Sequence, residues 1–413
     1  MDIQVEQGCP QCGAPVTLAE DDRLLTCPYC GVKNFLQTKG PFRYVLPDNV
    51  DETERRHLIH APYIRLKSNL FHLTDKGIAY KIIDTTQLGF VMPGLPPSLG
   101  MRPQAMTMGR LTPRAEGRFL RLSVKAKSIL EKAVQLSKLS NDLGGHLLHR
   151  AYIGDTLSLI YLPLRTDDTH LVDAVTDTPL IALDRIRDYP LQGTEFNPRW
   201  QVRFLPTLCP RCGWDLEGEK DCLAPTCHNC DTVWEITDHG LQRLDWQVQP
   251  GDRDTPLYLP FWKVPARIPA MEILSFADFI MRTNQPMVPR PQWHERAMQF
   301  WIPAFKLRPK IFLHIARQVT VSHWRLDPEA GRSIPNLYPV NLPKSEARQA
   351  IKVVLAACAT SPDNIFPFLP EARIRNAAVT LAYLPFQDAG HDWVQPQTGA
   401  VISKSVLHFG RSL

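Results

Sequence analysis

Cys9-Pro10-Gln11-Cys12-Gly13 is followed by Cys27-Pro28-Tyr29-Cys30-Gly31, and Cys209-Pro210-Arg211-Cys212-Gly213 is followed by Cys227-His228-Asn229-Cys230. In each case fourteen residues separate the two Cys-x-x-Cys steps. Paired tight turns at this spacing aim four thiolates at the corners of a tetrahedron, about 2.3 Å from a central ion. Eight of the ten cysteines are thereby assigned to two metal sites: Cys9, Cys12, Cys27 and Cys30, and Cys209, Cys212, Cys227 and Cys230. A catalytic zinc normally keeps one position open, so a full set of four cysteines points to structural metal. Two structural zinc ions are expected. Iron of the rubredoxin kind uses the same four thiolates and stays open as the alternative. Cys222, between the knuckles of the second site, stays open as a replacement ligand. Cys358, in the apolar run Ile351 to Ala359, reads as a small buried hydrophobe.

The two sites lie 200 residues apart, and further matches follow in the same order. Ala61-Pro62-Tyr63-Ile64-Arg65 pairs with Leu259-Pro260-Phe261-Trp262-Lys263, Arg102-Pro103 with Arg308-Pro309, and Tyr161-Leu162-Pro163 with Tyr383-Leu384-Pro385. Colinear landmarks predict a tandem duplication. At 413 residues the chain exceeds one core. The expected class is α+β and multidomain: zinc ribbon 1 (1–38), β-rich module 1 (39–195), zinc ribbon 2 (204–245) and β-rich module 2 (256–413), each module with one or two helices. The 37 prolines mostly end short apolar segments, which reads as strands, many of them edge strands, punctuated by turns. Ile64 to Leu70, Ile78 to Asp84, Thr156 to Leu162, Leu257 to Val264 and Ala378 to Leu384 read as strands. Helices are expected over Val124 to Leu139 and Ser345 to Ala359, the second capped by Ser345 with Glu346 in its first turn. The boundary between halves falls near Tyr189 to Arg203, where Pro190 interrupts the pattern, and a linker is expected over Gln249 to Pro256.

The Cys-Pro-x-Cys-Gly knuckles at Cys9, Cys27 and Cys209 resemble the zinc ribbons of many transcription, replication and translation proteins. Together with the strand that follows, Pro-Tyr-Ile or Pro-Phe-Trp, they are also similar to a loosely defined group of uncharacterised bacterial zinc-ribbon proteins. The specific match covers only the two ribbons. The fourth knuckle departs from it, with His228 for proline and Asp231 for glycine. The resemblance implies zinc and macromolecular contact, and no reaction.

Local charge bears on the partner. The formal net charge of +5 is spread unevenly: segment 1–40 carries three basic and five acidic residues, and 205–240 two and seven. Acidic ribbons repel phosphate. Positive charge gathers instead in 101–132 and 282–325, each with eight Lys or Arg, the second interleaved with Trp293, Phe300, Trp301, Phe305, Phe312 and Trp324. Arg102, Arg110, Arg308 and Arg317 are the candidate residues for an anionic partner, nucleic acid or an anionic membrane surface. The competing reading puts these arginines on solvated faces and the aromatics in the core. The pairs His57/His60 and His146/His149 read as strand-entry packing in preference to a third metal site.

No run of eighteen apolar residues exists, so no transmembrane helix is expected. The start Met-Asp-Ile-Gln-Val-Glu lacks secretory character, and thiolate sites suit a reducing compartment, which together predict a cytoplasmic protein. Phosphate-binding, dinucleotide, zincin and hydrolase motifs are all missing. Asp167 and Asp168 read as loop residues. The expectation is a non-enzymatic zinc-binding scaffold or adaptor presenting two similar modules to a protein partner. The alternatives are a nucleic-acid-binding accessory factor using 101–132 and 282–325, and an enzyme whose site assembles from distant residues.

Overall fold

Ile59–Thr74 and Leu147–Thr166 are long strands, the first buried almost throughout and the second over most of its C-terminal half, the pattern of strands covered on both faces. They pair antiparallel from Ile59 opposite Leu164 to Thr74 opposite Leu147, interrupted where Gly154 and Asp155 bulge out. The bulge needs glycine, because Gly154 has φ +77°. The computed structural model describes residues 3–137, 144–189, 191–252, 256–332, 334, 336–376 and 378–410. It is a mixed α/β protein with more strand than helix.

Both halves contain the same arrangement around their landmark prolines. In the first, Phe42–Val45 runs parallel to Leu147–Thr166 with Val45 opposite Tyr161, and Tyr161 on its other side faces Pro62. In the second, Trp246–Val248 runs parallel to Thr380–Ala389 with Val248 opposite Tyr383, and Tyr383 faces Pro260. A further antiparallel strand flanks each: Gly77–Leu88 beside Ile59–Thr74, and Gln299–Pro303 beside Leu257–Arg267. Pro62 and Pro260 therefore sit inside their sheets, contrary to the edge placement expected of proline. Each forfeits one donor, but its carbonyl still accepts, from Gly89 N–H at 2.8 Å and Ala304 N–H at 3.0 Å.

All five predicted strands are present, four within longer elements and the fifth shifted, starting at Thr380 rather than Ala378 and running on to Ala389. The first predicted helix is Ala126–Ser137, with Ile129 and Ala133 buried; its expected end at Leu139 lies outside the described residues, as do Pro190 and part of the expected linker (253–255). The second is Lys344–Cys358, but Ser345 does not cap it. Pro343 occupies that position without a side-chain bond, because the helix starts one residue earlier. The helix Pro309–Ser322 was not expected. It lies in the basic, aromatic stretch 282–325, and the structure decides that composition in favour of core: Trp293, Phe300, Trp301, Phe305 and Phe312 are all buried.

The halves meet in one apolar cluster, beside the separate cluster of the first half. Phe71, Leu73, Ala151 and Ile153 of the first half join the cluster formed by the second, and the rings of Phe71 and Phe312 lie 6.2 Å apart. Polar ties seal the same seam: Asn69 Nδ2 donates to Leu307 O at 2.8 Å, and Lys306 Nζ to Thr156 Oγ1 at 2.8 Å. Glu346, expected only to complement its helix dipole, is buried here and accepts from the bulge N–H groups of Gly154 and Asp155.

Burial, reinforced by the neighbouring Asp155 carboxylate, pushes the Glu346 carboxyl up to about 8. The folded chain therefore keeps a proton that the unfolded chain releases. Stability from this residue is complete below its ordinary value of 4.5 and is lost as pH rises to about 8. Glu346→Gln, which copies the protonated form, is expected to flatten this part of the stability profile and to raise the melting temperature most at alkaline pH. An unchanged profile would refute the assignment.

Candidate metal centres

At Cys9, Cys27 and Cys209 the Cys-x-x-Cys step closes a tight turn in which the residue after the second cysteine folds back to the first. Gly13 N–H reaches Cys9 O at 3.0 Å, Gly31 N–H reaches Cys27 O at 3.0 Å and Gly213 N–H reaches Cys209 O at 2.8 Å. These glycines have φ near +75°. At the fourth knuckle Asp231 takes φ +53°, a conformation that Asp tolerates better than most residues, so the departure from glycine leaves the turn intact.

The turns bring all eight predicted ligands into two groups, Cys9/Cys12/Cys27/Cys30 and Cys209/Cys212/Cys227/Cys230. Sulfur pairs lie 3.7 Å apart in the first (Cys9 to Cys30, Cys12 to Cys27), and 3.6 Å (Cys209 to Cys230) and 3.5 Å (Cys212 to Cys227) in the second. A tetrahedron with 2.3 Å metal–sulfur bonds has edges of about 3.8 Å, so both groups have the size for zinc or iron. Backbone N–H from Cys12 lowers the Cys9 thiol to about 6. At Cys209 burial opposes ionisation, but the Thr232 hydroxyl and the knuckle N–H groups outweigh it, again giving about 6. Thiolate, the form that binds metal, is thus favoured at Cys9 in the first group and at Cys209 and, through the Asn229 side chain, Cys212 in the second.

Cys222 is not a ligand. It is buried outside the second group, and burial pushes its thiol up to about 12. Cys358 is likewise buried, in the shared core. His60 is stacked on Phe119 at 4.5 Å and its Nε2 meets Glu116 O at 2.9 Å, while His57 is exposed and His149 lies on Leu147–Thr166 opposite Leu73. Among the described residues only the cysteine groups have metal-ligand geometry. Asp167 is a turn residue whose Oδ1 accepts from Thr169 and His170 N–H.

The cluster-bearing segments adjoin each other. Arg203–Pro206 pairs antiparallel with Lys33–Gln37, and Leu24 and Phe35 of the first segment pack with Cys209, Cys227 and Trp234 of the second. Gln37 Nε2 donates to Thr237 O at 2.6 Å, joining two positions 200 residues apart. A cavity of about 260 Å³ lies between the segments, and Asp21 faces it with Asp221, Leu36 with Ile236, and Thr38 with Asp238.

The four candidate arginines have different settings. Arg102 pairs with buried Asp173. Arg110 is buried, over the rings of Phe42 at 4.3 Å and Tyr44 at 5.4 Å. Arg102 is thus paired within the fold, whereas Arg110 is held inside it by aromatic rings, its guanidinium nitrogens buried without a hydrogen-bond partner among the described residues. Arg308 and Arg317 are exposed, at the start and on the outer face of Pro309–Ser322. Not anticipated from sequence were Arg290 and Arg325, whose guanidinium carbons lie 4.7 and 4.9 Å from the ring of Trp324. No helix among the described residues is long and apolar enough to cross a membrane.

Fold and site together define a mixed α/β protein with two four-cysteine clusters in a repeated setting. Comparison of the chain with known protein families, curated proteins and solved structures finds no match.

Proposed function

We propose that the chain is a non-enzymatic adaptor, built by tandem duplication, in which two zinc ribbons and their β-rich modules present a fixed surface to a protein partner in a reducing compartment such as the cytoplasm. Duplication is supported by the matching strand order and directions, by Tyr161 and Tyr383 facing Pro62 and Pro260, and by residues 200 positions apart lining one cavity between the ribbons. Four thiolates at each cluster leave no protein-ligand position for catalysis.

The observation that carries the reading is at the knuckles. Tyr29, between Cys27 and Cys30, is 71% exposed, and Trp214, two residues after Cys212, is 60% exposed. Large aromatics held rigidly beside a metal, on segments with excess acidic charge, suit a basic, apolar-bearing protein surface. Because the halves share a core, the two ribbons engage such a partner at a fixed separation, which raises the effective concentration of the second contact.

Affinity purification of the tagged chain, with and without nuclease, tests this. Defined proteins should survive nuclease in fixed ratio, and Tyr29→Ala with Trp214→Ala should lose them by tenfold or more while both metals stay bound. Retention of those partners by the double variant would sink the reading. The nucleic-acid alternative is favoured by one feature, the half-buried Trp324 with Arg290 and Arg325 over its ring. It requires nucleic acid in the untreated sample and its loss on Arg290→Glu with Arg325→Glu.

A further inference from the structure

Among the neighbours in which the two clusters differ, one is a buried hydroxyl. Thr232, two residues after Cys230, is 1% exposed, and its Oγ1 lies 3.1 Å from Cys230 Sγ and 3.6 Å from Cys209 Sγ. On the other side Trp234 Nε1–H donates to the same oxygen at 3.0 Å. The indole proton occupies a lone pair, and burial keeps water away, so the hydroxyl proton is directed at the sulfurs. In the first cluster the position two residues after Cys30 is Val32, and that of the indole is Asn34. Valine matches threonine in shape and lacks the donor. The chain thus contains an internal comparison: two sulfur groups of similar size, one with a buried hydroxyl against it.

Four thiolates around one divalent ion repel one another, and a donor fixed on two of them spreads that charge and holds the sulfurs in place. We propose that Thr232, oriented by Trp234, is a positioning residue that makes the Cys209/Cys212/Cys227/Cys230 cluster the tighter and slower-releasing of two metal sites. This rests on both clusters holding a metal, which is measured independently. Loss of such outer partners typically weakens metal binding by 10–100-fold.

The test uses the full chain saturated with zinc, with metal content determined first and release to a chromophoric chelator followed afterwards. Two zinc ions should leave in two phases. Thr232→Val is expected to accelerate the slow phase by about tenfold or more, Thr232→Ser to retain it, and Trp234→Phe to move it in the direction of Thr232→Val. Val32→Thr supplies the missing hydroxyl and should slow the fast phase, which keeps the proposal testable if Thr232→Val fails to fold. Wild-type phases in Thr232→Val with two zinc ions bound, or an unaltered fast phase in Val32→Thr, would overturn it. Fewer than two metals in the wild type would instead defeat the reading on which it rests.

Discussion

Cys9→Ser and Cys209→Ser are each expected to remove about one zinc ion per chain, and stripping both ions should destabilise the whole protein rather than two isolated segments. Structural zinc contributes on the order of 10 kcal/mol or more of apparent binding free energy, comparable to the net stability of an ordinary domain. The packing explains why the loss spreads. Cys9 and Cys27 belong to the apolar cluster that includes Tyr44, Tyr63 and Ile160 of the first sheet. Gln4–Gly8, which leads into the first knuckle, also pairs with Met108–Arg110. Cys209 and Cys227 pack with Leu24 and Phe35 of the first segment, so failure of the second cluster exposes apolar surface on both. Metal analysis and thermal denaturation with and without chelator check this. A stably folded chain without metal would contradict it.

The second large effect is expected at Glu20, in the loop between the first two knuckles. Its Oε2 lies 2.7 Å from Arg65 Nε and its Oε1 accepts from Ser158 Oγ, so one carboxylate ties the first cluster segment to both long strands. Arg65 is buried, and its other partner, Asp84, is 43% exposed. Burial alone lowers the Arg65 pKa, but Glu20 and Asp84 outweigh it and the net shift is upward. Glu20→Ala leaves a buried guanidinium with only an exposed counter-charge, a change that typically costs about 3–5 kcal/mol. Replacing both members, Glu20→Met with Arg65→Met, should cost distinctly less, because the desolvated charge disappears along with its partner. Denaturant midpoints of the two variants, with zinc content unchanged, give the comparison. Equal losses would show that the pair is not coupled.

Parts of the long strands were legible because apolar, β-branched and aromatic residues recur along Ile64 to Leu70 and Thr156 to Leu162, which suits strands. Their full lengths were not. Leu147–Thr166 begins with His149 and Arg150 and passes through Gly154 and Asp155, a polar stretch that is strand only because Ile59–Thr74 supplies its partner. Pro309–Ser322 was hidden for a related reason. Lys310, His314 and Arg317 mark its outer face, and the aromatics beside them were equally compatible with base stacking until their burial was known. Arg102 and Arg110 carried the charge of an anion site and turned out to be committed to Asp173 and to Phe42 and Tyr44. Their partners come from other strands, and sequence does not reveal which ones.

The sequence by itself determined the two four-cysteine clusters and the repeated order of landmarks, because a knuckle is local: its turn, its two sulfurs and its glycine or aspartate lie within five or six residues. Tertiary structure alone decided that the halves fuse through Phe71, Ile153 and Phe312, that Glu346 is buried against the Gly154 bulge, and that Thr232 rather than Val32 has a hydroxyl aimed at sulfur with an indole behind it. Those outcomes depend on which surfaces meet, and burial and pairing across tens or hundreds of residues are set by the packed chain as a whole.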